Sequence, residues 1–146
     1  MNRAAGGLLH GALAGGLATI SMTVLMLGAR RSGLMGAMPP ERITARFLDR
    51  MRVRRRGDEQ DAAAMFLHFA FGAAAGGLFG LARRRLPLPP VLSGLAYGAG
   101  VWFVSYKGWV PALGIMPPPE RDRPGRPQSM LAAHLVYGAT LGLLTR

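Results

Sequence analysis

Residues 36–42 read GAMPPER, and residues 68–76, further along the chain, read HFAFGAAAG. The same two motifs return in the same order, as GIMPPPER at residues 114–121 and HLVYGATLG at residues 134–142. A repeated, ordered pair of motifs predicts a repeated structural unit. Each half of the chain therefore reads as an apolar segment, a Met-Pro-Pro loop that contains Glu-Arg, and a second apolar segment that begins His-x-x-aromatic-Gly-x-x-x-Gly.

The composition favours a small membrane protein. The chain has 146 residues, half of them hydrophobic, and yet its formal net charge is +11. Its basic residues cluster between uncharged apolar runs, as they do in the loops of membrane proteins. A nucleic-acid-binding protein would spread Lys and Arg over one folded face, so no nucleic-acid partner is expected. The chain has no cysteine, which excludes disulfides and thiolate metal ligands.

Four apolar stretches predict four membrane-spanning helices. Residues 4–29 carry no charge and are long enough to cross about 30 Å of hydrocarbon. A signal peptide is the competing interpretation, but this stretch exceeds the roughly 7–15 residues of a signal h-region. The other spans are predicted at residues 62–82, 91–110 and 129–145. The predicted fold is all-α: one membrane domain of residues 1–146, an integral membrane four-helix bundle made of two repeated transmembrane hairpins.

Small residues recur every four positions in each predicted span. In lipid, helices associate through close backbone approach at such faces. We therefore assign helix packing within the bundle to Gly11, Gly15, Gly72, Gly76, Gly94, Gly98, Gly138 and Gly142. The alternative is that one of these faces serves a partner subunit.

The basic residues predict an orientation and a lipid contact. Thirteen of the 18 Lys and Arg residues lie in or beside the loops at residues 30–60 and 111–128. The positive-inside rule places these loops in the cytoplasm and both termini outside. Residues 40–56 form a basic amphipathic loop in which Pro40 can open a short helix and Ile43, Phe47 and Met51 recur every four residues. That pattern is typical of a basic amphipathic helix that lies on anionic lipid headgroups.

Two histidines occupy equivalent positions in the repeat. His68 and His134 lie six or seven residues inside spans two and four, where an imidazole is expected to face the interior. One interpretation is a hydrogen bond from each to a backbone carbonyl, Ser105 or Thr23, which would lock the hairpins together. The alternative is axial ligation of a haem by both histidines. His10 has no counterpart in the repeat and is expected to lie apart, so no metal site is predicted.

The charged loop residues do not assemble a recognisable catalytic site. The acidic ones are expected in surface ion pairs, and they include Glu41, Asp58, Glu59, Glu120 and Asp122. Arg42 and Arg121, beside the repeated motifs, are the candidates to hold an anion or a lipid headgroup. No hydrolase elbow, phosphate loop or metalloprotease motif is present. We therefore assign no catalytic residue and no cofactor beyond the haem alternative, and the sequence favours a protein that is not an enzyme.

Parts of both halves resemble a known group. Residues 109–118 (WVPALGIMPP) and 133–138 (AHLVYG) resemble uncharacterised bacterial inner-membrane proteins related to the YagU-type family, and residues 11–23 (GALAGGLATISMT) resemble the same group. The resemblance covers most of the chain outside residues 48–59. It implies a multi-pass protein of the bacterial inner membrane with no established chemistry.

These observations favour a structural or interaction role, as an accessory subunit of a larger membrane complex. The expected partners are the bilayer with its anionic lipids and either further copies of the chain or another membrane protein. A small channel or carrier, and a redox subunit that binds haem through His68 and His134, remain the alternatives.

Overall fold

The computed structural model describes residues 2–53 and 57–146, and this part of the chain is all-helical. Its helices are α1 (Arg3–Arg31), α2 (Pro39–Arg50), α3 (Asp58–Ala82), α4 (Pro90–Trp102), α5 (Val110–Ala112) and α6 (Arg126–Leu144). Short 3₁₀ helices lie at Arg83–Arg85 and Pro119–Arg121, and a π-helix, Phe103–Trp109, joins α4 to α5. The all-α prediction is confirmed for these residues.

Five of the described α-helices are longer than a single turn, where the sequence predicted a bundle of four. The additional helix is α2, which lies in the segment predicted as a loop at residues 40–56; residues 54–56 of that segment lie outside the described residues. Pro39 suits the first turn of a helix, and the backbone N–H of Met38 donates to Oε2 of Glu41 at 3.1 Å. These two features start the helix at Pro39, one residue before the Pro40 that the sequence indicated.

Three of the four predicted spans agree with helices, and the third does not. α1, α3 and α6 cover the first, second and fourth spans to within one residue, whereas the third span, residues 91–110, is divided between α4 and the π-helix. α3 begins at Asp58 because three carboxylates in its first turn stabilise the positive end of the helix. Among the described helices, α1 and α3 are the two that are long and apolar enough to cross a membrane.

α1 and α3 pack through glycines that face each other. A Cβ atom added at Gly11 would overlap the backbone of Gly76 and Gly80, and one added at Gly15 would overlap that of Gly72 and Gly76. The obstructing atoms belong to backbone rather than to flexible side chains, so a rotamer change would not make room. The two helix axes therefore approach as closely as their backbones allow.

α4 and α6 form the matching pair in the second half. A Cβ atom added at Gly94 would overlap the carbonyl of Gly138, and one added at Gly98 would overlap the carbonyl of His134. One added at Gly142 would meet the carbonyl of Pro90. Each half of the repeat thus builds one hairpin whose two helices pack through glycine.

The two hairpins lie side by side in the same direction. α1 packs against α6, and a buried cluster that includes Met26, Phe79, Tyr106, Tyr137 and Leu141 fills the space between the hairpins. Both chain ends and the turn after α3 lie together, around a pocket that includes Asn2, Arg83 and Arg146 among its lining residues. The two Met-Pro-Pro loops meet at the other end of the bundle.

The loops at that end begin with equivalent turns. Gly33 follows α1 with φ +78° and Gly114 follows α5 with φ +66°, a left-handed conformation that suits glycine. The next N–H bonds back to the helix in both cases, from Leu34 to the carbonyl of Ala29 and from Ile115 to that of Val110. In structure, Gly114 therefore corresponds to Gly33, although the sequence motif aligns it with Gly36.

The surface of α1 opposite its glycines is apolar and uncovered. Five side chains follow one another along it, and each is 49–64% exposed: Leu9, Leu13, Leu17, Ile20 and Val24. We call this surface the outer face of α1. No described part of the chain covers it.

Candidate functional site

A cavity of about 830 Å³ lies among α2, α3, the π-helix and α6. Apolar side chains of all four elements line it, among them Ile43, Phe47, Phe71, Trp109 and Met130. None of the described residues that line it is an Arg, Lys, Asp or Glu. Within the described part of the chain, the cavity is therefore an apolar space whose polar side chains are few and uncharged.

Both predicted histidines line this one cavity. Nδ1 of the buried His134 lies 2.8 Å from the carbonyl oxygen of Met130, one turn earlier in α6. A carbonyl only accepts, so Nδ1 carries the proton and donates. In the neutral imidazole, the other ring nitrogen, Nε2, is then unprotonated and presents a lone pair.

The imidazole of His68 differs from that of His134 in its hydrogen bonding. Its Nε2 atom is buried and has no hydrogen-bond partner among the described residues, and its ring packs edge-on to Phe69. The predicted hydrogen bond to a backbone carbonyl is present at His134, but its acceptor, Met130, lies in the same helix, so this bond does not lock the hairpins together. Ser105 and Thr23 donate instead to the carbonyls of Val101 and Thr19, four residues earlier in the chain. Two imidazoles therefore face one cavity without joining the hairpins.

Two tyrosines supply the link that was assigned to the histidines. The hydroxyl of Tyr137 donates to the carbonyl oxygen of Gly72 at 2.7 Å, and that of Tyr97 donates to the carbonyl of Ala75 at 2.6 Å. Both bonds run from the second hairpin to α3 of the first. Tyr137 is the aromatic residue of the His-x-x-aromatic-Gly motif, so the motif contained this signal, but its acceptor lies in the other half of the chain.

The π-helix forms one side of the cavity. It carries Ser105, Tyr106 and Trp109 into the lining. Tyr106 donates to Oδ2 of Asp122 at 2.6 Å. A π-helical turn is uncommon and is found frequently at functional sites.

Asp122 is the centre of a buried ion pair, which contradicts the prediction of a surface position. Nη1 of Arg126 lies 2.7 Å from Oδ1 of Asp122, and the two side chains are 4% and 2% exposed. Nε of Arg126 also donates to the carbonyl of Met35 at 2.7 Å. This cluster, which we call the clasp, joins the two Met-Pro-Pro loops beside the cavity. Sequence reasoning missed it because neither residue belongs to the repeated motifs.

The remaining candidates lie on the surface. Arg42 and Arg121 are exposed and do not line the cavity. The acidic residues beside them behave as predicted: Glu41 pairs with Arg30 and Glu120 with Lys107, both at 2.6 Å. The hydrogen bond from Lys107 lowers the pKa of Glu120.

His10 lies far along the bundle from the other two histidines. It lines the separate pocket of about 470 Å³ at the end that holds both chain termini. Among the described residues, no group of three or more His, Asp or Glu side chains is placed to hold a metal ion. The chemistry that the cavity offers is therefore hydrogen bonding, or ligation by two imidazoles at most.

Comparison with known proteins identifies a family and no function. A family model described as a family of unknown function, DUF6789, matches residues 5–146. No curated protein and no protein of solved structure matches the chain.

Proposed function

Since the chain belongs to this family of unknown function, DUF6789, we propose a function from its own geometry: a small integral membrane protein that acts as an accessory subunit of a larger membrane complex. Its role on this proposal is structural or interactional rather than catalytic. We place it in the bacterial inner membrane, with the two Met-Pro-Pro loops in the cytoplasm.

The observation that carries this proposal is the outer face of α1. Large apolar side chains stand exposed along most of a helix that is long and apolar enough to cross a membrane. Contiguous exposed apolar surface of this kind marks a membrane or protein contact. In a bilayer, the lipid tails or a partner helix would cover it at no cost in hydration.

The glycine faces do not provide the partner contact on this proposal. Those of α1 and α3 engage each other, and so do those of α4 and α6. We therefore propose that a partner subunit contacts the outer face of α1. Leu17 is the middle residue of the five that form this face.

The absence of cysteine from the chain allows a clean test with single cysteines. We expect the protein to stay in the membrane fraction after an alkaline carbonate wash. Leu17→Cys is expected to give a stoichiometric crosslinked product with a membrane partner. The matched control is Leu78→Cys, a comparably exposed position on α3, which is expected not to give it.

Each part of the proposal fails on a separate result. Release by carbonate would contradict the membrane location. A product of twice the chain mass would identify the partner as a second copy and rule out an accessory subunit of another complex. Absence of any product at Leu17, with a protein that purifies alone, would contradict the accessory role.

A further inference from the structure

We propose that the cavity among α2, α3, the π-helix and α6 binds an uncharged, lipid-soluble alcohol or phenol. In this complex, the ligand hydroxyl donates a hydrogen bond to Nε2 of His134. The inference rests on the proposed membrane location, because the ligand reaches the cavity from the bilayer.

The acceptor character of Nε2 in His134 determines which polar group the ligand must carry. The imidazole proton is committed to the carbonyl of Met130, so the nitrogen that remains is an acceptor. A ligand that offers only carbonyl or ether oxygens cannot form a hydrogen bond with Nε2 of His134. A hydroxyl group can donate to it.

Most other hydroxyls in the lining are already engaged with protein acceptors. They belong to Thr19, Ser105, Tyr106 and Tyr137, which donate to Gly15, Val101, Asp122 and Gly72 at 2.6–2.8 Å. The imidazole of His134 differs from these hydroxyls, because its Nδ1 donates to Met130 and no hydrogen bond engages its Nε2 among the described residues. Nε2 of His68 also has no partner among the described residues, but it is enclosed by protein and is not part of the proposed contact. Buried polar atoms of native proteins are usually paired, so an unpaired acceptor in the lining of a cavity indicates a missing ligand group.

The lining also selects an uncharged molecule. The described residues around the cavity carry no formal charge, and its volume lies within the roughly 300–1,000 Å³ of small-molecule sites. A haem would bring two carboxylates into this space, where the described lining offers no Arg or Lys to pair with them. A neutral lipid-soluble molecule meets no such penalty.

The mouth of the cavity opens between α2 and α3. Lining residues on these helices are substantially exposed, with Phe47 at 43%, Phe71 at 48% and Phe66 at 72%. Exposed apolar side chains of this kind mark a surface that contacts the membrane. A hydrophobic ligand would thus pass from bilayer to cavity without crossing water.

The test measures binding of three radiolabelled probes to the purified, detergent-solubilised protein. Decylubiquinol represents a phenol, 1-hexadecanol an alcohol, and decylubiquinone a close analogue that lacks the hydroxyl. We expect one of the hydroxyl probes to bind in equal stoichiometry to the protein, and decylubiquinone to bind about tenfold more weakly, as for the loss of one buried hydrogen bond. Which hydroxyl probe binds distinguishes the two ligand types.

Two pairs of variants locate the binding. His134→Phe keeps an aromatic ring and removes the acceptor, so we expect binding of the hydroxyl probe to weaken about tenfold. His10→Phe, in the separate pocket, is the matched control. Ala70→Trp places an indole in the mouth at an exposed position and is expected to abolish binding even if His134→Phe does not fold. Ala74→Trp, exposed on the same helix but outside the lining, is its control.

Several results would overturn the inference. These are no binding of either hydroxyl probe, equal binding of quinol and quinone, unchanged binding in Ala70→Trp, or a Soret band that His68→Phe removes. The assay uses solubilised protein, so its outcome is independent of the carbonate and crosslinking results that decide the proposed function.

Discussion

At the scale of single residues, the two histidines show what a repeat does and does not specify. His68 and His134 hold equivalent places in the motif, and the structure brings both to one cavity. Only His134 has a hydrogen-bonded ring nitrogen among the described residues. Sequence spacing predicts which helix position a side chain occupies, whereas the choice of partner depends on rotamer and neighbours.

Asp122 and Arg126 also show that the partners of a side chain depend on tertiary contacts. Asp122 was expected in a surface ion pair because it lies in a loop, yet its side chain and that of its partner Arg126 are buried. The reason is tertiary: the π-helix brings Tyr106 and the loop after α1 brings the carbonyl of Met35. With these partners the pair is hydrogen-bonded on several sides, which is the condition under which a buried ion pair is tolerated.

The clasp makes a prediction at this scale. Arg126→Met leaves Asp122 buried without its cationic partner, so we expect the free energy of unfolding to fall by about 3–5 kcal/mol. Unfolding of the detergent-solubilised protein by SDS measures it. Arg123→Met removes an exposed hydrogen bond to Gly33 and is expected to cost less than about 1 kcal/mol. Equal losses in the two variants would show that the clasp adds no stability.

At the scale of helices, local pattern predicted most but not all of the elements. Apolar length located α1, α3 and α6 because each contains a long uncharged run. The third span was predicted as uninterrupted, but the backbone departs from α-helix at Phe103 and Gly108 has non-helical torsions. The apolar stripe of α2 indicated a short helix on lipid headgroups, whereas the packing of α2 over the cavity depends on other helices and is not visible in the local pattern.

The glycine faces make the prediction at this scale. Gly11→Ala forces a methyl group against the backbone of α3, so we expect a loss of about 1–3 kcal/mol in the free energy of unfolding. Gly16→Ala, on the same helix with open space around its Cα, is expected to be neutral or to stabilise by up to about 1 kcal/mol through helix propensity. SDS titration compares the two variants directly. A loss at Gly16 as large as that at Gly11 would refute close backbone packing as the cause.

At the scale of the whole molecule, the hairpins run in parallel. Both Met-Pro-Pro loops meet at one end, where Arg50 donates to the carbonyl of Leu113 and the clasp joins the two halves. Both chain termini lie at the other end. This arrangement is the geometric requirement for a bundle that presents both loops on one side of a bilayer.

The topology predicts a labelling pattern. Arg42→Cys and Arg121→Cys, both at exposed positions beside the Met-Pro-Pro motifs, are expected to react with an impermeant maleimide only when the cytoplasmic side of the membrane is accessible. Arg146→Cys is expected to react only from the opposite side. Sealed vesicles of both orientations provide the comparison. Labelling of Arg42→Cys and Arg121→Cys from different sides would contradict the parallel hairpins, and labelling of all three from the reversed sides would contradict the orientation alone.

The duplication, the all-helical class and the glycine spacing can be read from the amino-acid sequence, because these depend on composition and on periodicity along one chain. His68 and His134 can be singled out in the same way, since they hold equivalent positions in a repeat. The folded chain was needed to show that α2 closes a cavity, that tyrosines rather than histidines join the hairpins, and that the side chain of Asp122 is buried. Each of these depends on contacts between residues far apart in the chain, where the acceptor or the covering surface comes from another element.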